Sequence, residues 1–227
     1  MLSIKLIERK INMNSTITFL GRDSGFGDNN NSGYIEIDNN LLIIDCGFAV
    51  FNNIKKRFDY NKYDNVYVLI THLHNDHAGS LSQFILYMWF VFHKKITVVT
   101  KCEKIKLLLD IEGTDSDWYY LTDNALGIDF IRTEHVAQMD AYGFKINVNG
   151  KKLVYTGDTC TLDPYMPYLD DCDEFYVDTS KFGGVHLKFE DIKDRLSEIK
   201  SKGTDIYLMH IDDYEYIKNI NNNEFYM

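Results

Sequence analysis

Three of the seven histidines fall within six residues, in the segment His72-Leu-His-Asn-Asp-His77. Imidazole nitrogens together with a carboxylate are the donor mix that zinc, iron and manganese sites use. The segment follows the apolar run Val66 to Ile70, so His72 and His74, two apart in extended chain, point the same way and can chelate one cation. Asp76 and His77, where the chain turns toward a helix at Ser80, are aimed elsewhere and offer a carboxylate and an imidazole to a second cation. Gly79 permits the tight exit. A lone His-x-His pair is more often an accident of a polar loop; the full pattern at a strand end is not.

The elements that must position these residues are short. Alternating or continuous apolar runs predict strands over Thr16 to Leu20, Gly33 to Ile37, Leu41 to Asp45, Val66 to Ile70, Ile96 to Val99, Ile128 to Thr133, Phe144 to Val148, Lys152 to Thr156, Glu174 to Val177 and Ile206 to Met209. Asn149-Gly150 between two such runs predicts a type I′ turn and makes Phe144 to Thr156 a hairpin. Phe189, Ile192, Leu196 and Ile199 recur at helical spacing, so Glu190 to Ser201 reads as an amphipathic helix closed by Gly203. The segment Ser80 to His93 also reads as helical, apolar on nearly every side from Phe84 to Phe92. Either deep burial or a homodimer contact accounts for that. His93, at its end beside Lys94 and Lys95, suits a helix C-terminus and is given no catalytic role.

The spacing HxHxDH after a strand, followed by a distant His, an Asp and a final His, resembles the metallo-β-lactamase superfamily. The resemblance runs from about residue 16 to 212. It implies an α/β fold, the αββα sandwich of two packed mixed β-sheets with helices on the outer faces, formed here as a single domain over residues 1–227. The Asn-rich tail falls outside it and is expected to be frayed or lightly docked. His135 in Thr-Glu-His-Val matches the third-motif histidine, Asp158 in Thr-Gly-Asp-Thr the carboxylate that bridges both ions, and His210 in Leu-Met-His-Ile the last ligand. The resemblance thus implies two divalent cations, zinc first, with manganese or iron as alternatives. His72, His74, His135 and Asp158 would hold one, and Asp76, His77, His210 and Asp158 the other. Phe-Leu-Gly near the start and Leu41-Leu-Ile-Ile-Asp-Cys-Gly47 look like the family's opening hairpin sheet.

Departures within the superfamily narrow the chemistry. Class B lactamases commonly carry cysteine at the position of Asp158, and flavodiiron proteins carry Glu at that of His74; neither substitution is present, so hydrolysis other than of a lactam is expected. His186 in Gly-Gly-Val-His-Leu-Lys matches the histidine that assists the leaving group in ribonuclease Z and related phosphodiesterases, and Asp178 the carboxylate that orients it. The chain lacks room between Asp158 and His186 for the projecting arm that holds transfer RNA, and the opening motif is altered to Gly21-Arg-Asp-Ser-Gly-Phe-Gly-Asp. The function implied is a dinuclear phosphodiesterase acting on a small phosphodiester or nucleotide, with a metal-bridging hydroxide attacking phosphorus, Asp76 orienting it and His186 donating to the leaving group. The alternatives are a ribonuclease Z-like nuclease, a lactone or thioester hydrolase, and a non-catalytic metal-binding or sensory domain.

Composition agrees with a soluble, enzyme-sized chain: 45% apolar residues, two prolines, no apolar run long enough to span a bilayer and no signal-peptide pattern, so the cytoplasm is the expected location. The net charge of −10 works against nucleic acid as partner and favours a small molecule. Cys46, Cys102, Cys160 and Cys172 show no CxxC spacing and read as free, mostly buried thiols, Cys160 filling space beside Asp158. Asp163 and the stretch from Asp170 to Asp173 read as solvated surface.

Overall fold

In the strand Asn40–Ile44 (β3) every residue from Leu41 onward is buried, yet successive side chains serve different layers. Leu41 and Ile43 join a cluster with Phe51, Ile54, Phe84, Ile85 and Met88, whereas Leu42 and Ile44 pack with Phe144, Leu153, Tyr155, Tyr176 and Met209. That alternation is the pleat of a strand covered on both faces, which is why it reads as one unbroken apolar run. The computed structural model describes residues 15–227; residues 1–14 lie outside the description.

Two sheets result. The first has the order β1 (Thr18–Gly21), β2 (Ser32–Ile37), β3, β4 (Asn65–Leu69), β5 (Ile96–Val99) and β6 (Tyr119–Thr122), antiparallel up to β3 and parallel beyond it. The second has the order β11 (Asp205–Met209), β10 (Glu174–Asp178), β9 (Lys151–Tyr155), β8 (Ala141–Val148) and β7 (Asp129–Thr133), parallel from β11 to β9 and antiparallel beyond. Helices α1 (Phe51–Arg57), α3 (Leu81–Phe92) and α4 (Ile105–Ile111) share the apolar layer outside the first sheet. Helices α5 (Phe189–Ser201) and α6 (Tyr214–Asn221) share the layer outside the second. The third apolar layer lies between the sheets. This is the expected αββα sandwich.

All ten expected strands are present within a few residues of their expected limits, and both residues of the Asn149-Gly150 turn have φ above zero, 52° and 87°. Helix α3 resolves the ambiguity about its apolar character largely toward burial. Phe84, Ile85 and Met88 are buried, and only Phe90 and Val91 among its apolar residues are exposed. His93 is exposed and ends the helix in the left-handed region, φ 54°.

Several features differ from expectation. β6 was not expected because it is an edge strand with Tyr119 buried and Tyr120 and Leu121 exposed, which gives no apolar run. α1 and α4, seven residues each, are too short for their periodicity to register. The tail is not frayed: the Tyr226 N–H donates to the Ile206 carbonyl, its own carbonyl accepts from Leu208, and Phe225 is buried against Phe189. Cys46, Cys102 and Cys172 are buried, but Cys160 is exposed and fills no space. Among the described residues, no helix is long and apolar enough to cross a membrane.

Candidate metal centre

Strand ends bring the expected residues together. β4 delivers Thr71, His72 and His74; β7 delivers His135; β9 delivers Asp158; β10 delivers Asp178; β11 delivers His210. Asp76 and His77, expected where the chain turns toward a helix at Ser80, lie on a one-turn helix of their own, α2 (Asn75–Ala78). His72, His74, His135 and Asp158 form one converging group and Asp76, His77, Asp158 and His210 a second, with potential ligand atoms within 4.8 Å of one another in each.

His74 Nδ1 lies 3.0 Å from His72 Nε2 and 3.1 Å from His135 Nε2. Nitrogens about 2.1 Å from one tetrahedral ion would stand about 3.4 Å apart, close to this spacing. Asp158 Oδ2 is 3.6 Å from His72 Nε2 and 3.3 Å from His210 Nε2, while Oδ1 is 3.3 Å from His77 Nε2. One carboxylate therefore faces both groups. Asp76 Oδ2 lies 3.2 Å from both His77 Nε2 and His210 Nε2.

The donor atoms fit divalent cations. His77 Nε2 and Asp158 Oδ1 are fully buried with no hydrogen-bond partner among the described residues, a costly state that a cation between them would relieve. Ring tautomers point the same way. Asp45 accepts from the Thr71 N–H at 2.8 Å and lies 2.8 Å from His77 Nδ1 through its other oxygen, so His77 donates from Nδ1 and presents the Nε2 lone pair to the second group. The Thr71 hydroxyl donates to Asp45 and accepts from His72 Nδ1 at 3.1 Å, which aims the Nε2 lone pair of His72 at the first group. The Val185 carbonyl, 2.9 Å from Nδ1 of His135, fixes that ring in the same sense.

Asp45 is the functional residue that sequence reading passed over, taken only as the end of an opening strand. Its signal was faint: an acidic residue closing an all-apolar strand, here completely buried and left-handed at φ 58°. His210 likewise ends its strand in the left-handed region, φ 54°. Such backbone costs about 1–3 kcal/mol per residue and aims each side chain away from the path of its strand.

Charge interactions bind the cluster together. Burial would raise the Asp158 carboxyl, but His210, His77 and His72 outweigh it and hold it well below the usual range. Burial alone would lower His77 and His210. Asp158 and Asp45 instead raise His77 well above the usual imidazole value, and Asp158 and Asp178 push His210 up to about 10. His72, buried beside His77, is held well below it.

His186 stands beside both groups. Its Nδ1 donates to Asp178 Oδ2 at 2.9 Å, and its ring stacks on His210 with centroids 4.7 Å apart. Burial opposes its protonation, but Asp178 more than compensates and raises its pKa. With Nδ1 committed, Nε2 is left for a substrate in the adjoining cleft of about 1300 Å³, which His74, Asp76, His135, Asp158, His186 and His210 all line. Among the described residues no lysine or arginine lines that cleft, and Asp23, Asp28 and Asp212 do.

A family model described as "Anti-Pycsar protein Apyc1" matches residues 15–112, the part carrying β1 to α4 and the candidate ligands from His72 to His77. A protein of that name from Bacillus phage 010DV004 is 26% identical, with 87% of this chain and 89% of that protein covered. Among solved structures, the metallo-β-lactamase fold protein YhfI from Bacillus subtilis superposes with a TM-score of 0.73 at 17% identity, covering 92% of each chain. The short form of human tRNase Z does so with a TM-score of 0.65 at 14% identity, covering 88% of this chain and 93% of the other. Strand order and layering agree with these superpositions: the chain has the metallo-β-lactamase fold.

Proposed function

We propose that the chain is a two-metal phosphodiesterase of the anti-Pycsar kind that opens a small cyclic nucleotide. The observation that carries this reading is the Asp178–His186 pair: a histidine held by a buried carboxylate, its free nitrogen available to the cleft, placed beside two ligand groups. A phosphodiester needs such a donor because its alkoxide leaving group must take up a proton as the P–O bond breaks.

His72, His74, His135 and Asp158 would hold one divalent cation, and Asp76, His77, His210 and Asp158 the other, with zinc as the proposed metal. When bound, such cations supply Lewis acidity and lower the pKa of a coordinated water from about 16 to near 7. The chain's own residues do the rest. Asp76 orients the attacking water, Asp178 holds His186 in its donor tautomer, and His186 protonates the departing ribose oxygen. The product is a linear monophosphate.

Substrate size follows from the cleft. A second phosphate would meet Asp23, Asp28 and Asp212 with no cation among the described lining residues, which disfavours polynucleotides and dinucleotides relative to a substrate with one phosphate. The similarity to anti-Pycsar proteins supports the same branch, since it spans the loop 21–28 as well as the ligand turn. For an enzyme acting on such a small substrate the proposed location is the cytoplasm.

The test compares cyclic AMP, bis-(p-nitrophenyl) phosphate, a lactone, a thioester and a cephalosporin on protein loaded with zinc. Turnover of the two phosphodiesters in preference to the carbonyl substrates is expected. His186→Ala should retain both metals and lose about 10²- to 10⁴-fold on cyclic AMP, with a much smaller loss on the nitrophenyl ester, whose leaving group needs little help. Preference for the lactone or thioester would replace the phosphodiesterase reading with acyl hydrolysis.

A further inference from the structure

Four exposed aromatic side chains that line the cleft, Phe26, Phe48, Phe182 and Tyr214, are left unexplained by metal binding or proton transfer, and Phe26 and Phe182 are the most exposed of them. Phe26 is fully exposed and Phe182 is 73% exposed, and both line the cleft that contains the ligand groups. Exposed phenylalanine on a mobile tip would mean little, but neither loop is loosely held.

The Phe26 loop turns tightly, with the Gly27 N–H donating to the Ser24 carbonyl at 2.9 Å, and is tied down by Ser24 N–H to the Ile211 carbonyl at 3.1 Å and Ile211 N–H to the Arg22 carbonyl at 2.7 Å. It lies directly against the second ligand group: a Cβ on Gly25 would come within 3.0 Å of Asp76 Oδ2. The Phe182 loop is pinned by Asp212, which accepts from the Ser180 hydroxyl and from the Lys181 N–H at 2.8 Å, while the Ser180 oxygen accepts from the N–H groups of Phe182 and Gly183. This loop meets the first group, through the Val185 carbonyl on His135. The tripeptide His210-Ile211-Asp212 thus fastens a ligand and two aromatic walls, one against each ligand group.

We propose that Phe26 and Phe182 form the base site of this enzyme, stacking on the nucleobase of the cyclic nucleotide whose phosphate lies at the metal groups; this rests on the phosphodiesterase reading above. A planar heterocycle is the occupant that the surroundings favour. Aromatic faces stack on any base, the neighbouring Asp23 and Asp28 accept hydrogen bonds from amino groups but repel phosphate, and both rings line the same cleft as the ligand groups.

The test measures Phe26→Ala and Phe182→Ala on zinc-loaded enzyme against cyclic AMP and against abasic 1-deoxyribose 3′,5′-cyclic phosphate, followed by phosphorus NMR. Each variant is expected to raise KM for cyclic AMP about 10- to 100-fold with kcat within about threefold, to leave the abasic substrate unaffected, and to keep metal content and Tm. Phe26→Trp restores KM, whereas Phe26→Leu, apolar but without a π face, does not. Unchanged KM, equal losses on both substrates, or a wild type that handles the abasic compound as well as cyclic AMP would each overturn the base site while leaving the phosphodiesterase standing. A wild type that opens neither phosphodiester but hydrolyses a lactone or thioester removes both together.

Discussion

At the scale of single residues, Asp45 illustrates how one carboxylate sets two ligands. It accepts from Thr71 and His77, and through the Thr71 hydroxyl it also fixes His72, so it governs an imidazole in each ligand group. Asp45→Asn keeps the shape but places an amide donor where an acceptor was needed, which turns His77 to the tautomer whose Nε2 carries a proton and faces the second site. Metal affinity should fall about 10- to 100-fold, read as zinc retained after dialysis against a competing chelator. Unchanged retention would show that the tautomer is set elsewhere. Asp158→Ala removes an oxygen from both groups, so both occupancies and activity should fall together; two ions still bound would show that its bridging role is misassigned.

At the scale of elements, the turn bearing Asp76 and His77 is zipped to the end of β3. Cys46 N–H donates to the His77 carbonyl at 2.7 Å, Phe48 N–H to the Asn75 carbonyl at 3.1 Å, and Ser80 N–H to the Cys46 carbonyl at 2.9 Å. Gly47 permits this approach, because a Cβ there would fall 1.8 Å from the Asp76 carbonyl oxygen. Gly47→Ala must therefore push α2 outward, and calorimetric titration should show the second zinc weakened much more than the first. The C-terminal tail acts on the opposite face. Phe225 is 4% exposed, and Asn221 bonds to both its N–H and its carbonyl. Phe225→Ala should cost about 3–5 kcal/mol in urea unfolding with little change in metal affinity; a loss under about 1 kcal/mol would mean the tail is not part of the packed layer.

At the scale of the whole molecule, metal binding and folding are expected to be thermodynamically linked. Nine candidate ligand and supporting groups, Asp45 and Asp178 among them, come from β3, β4, α2, β7, β9, β10 and β11, so the cluster joins both sheets across the central apolar layer. Ions that bind only the folded arrangement stabilise it by about 4 kcal/mol at a thousandfold excess over their dissociation constant. For a chain of this size that is about 8–16 °C in Tm, so EDTA should lower the melting temperature by that order and zinc should restore it. A Tm unmoved by chelation would separate the cluster from the stability of the sandwich.

What the sequence determined by itself was whatever local chemistry dictates. The buried strands were legible because a strand covered on both faces must be apolar throughout, as Leu41 to Ile44 are, and the hairpin because Asn149-Gly150 readily takes positive φ. The candidate donors His72, His74, Asp76 and His77 were legible because clustered imidazoles and carboxylates have few other uses, whereas His135, Asp158 and His210 were reached only through the family resemblance. Tertiary structure alone decided the rest. The β6 strand exists because an edge pairs with β5 without needing an apolar run, and the tail is ordered because Ile206 and Leu208 offer it a ladder. Asp45 serves His72 and His77, and Phe26 and Phe182 share one cleft, through contacts between segments far apart in the chain. No local pattern records such contacts: hydrogen-bond partners and facing walls depend on how the two sheets are laid together, and the sequence near each residue carries only its half of the pair.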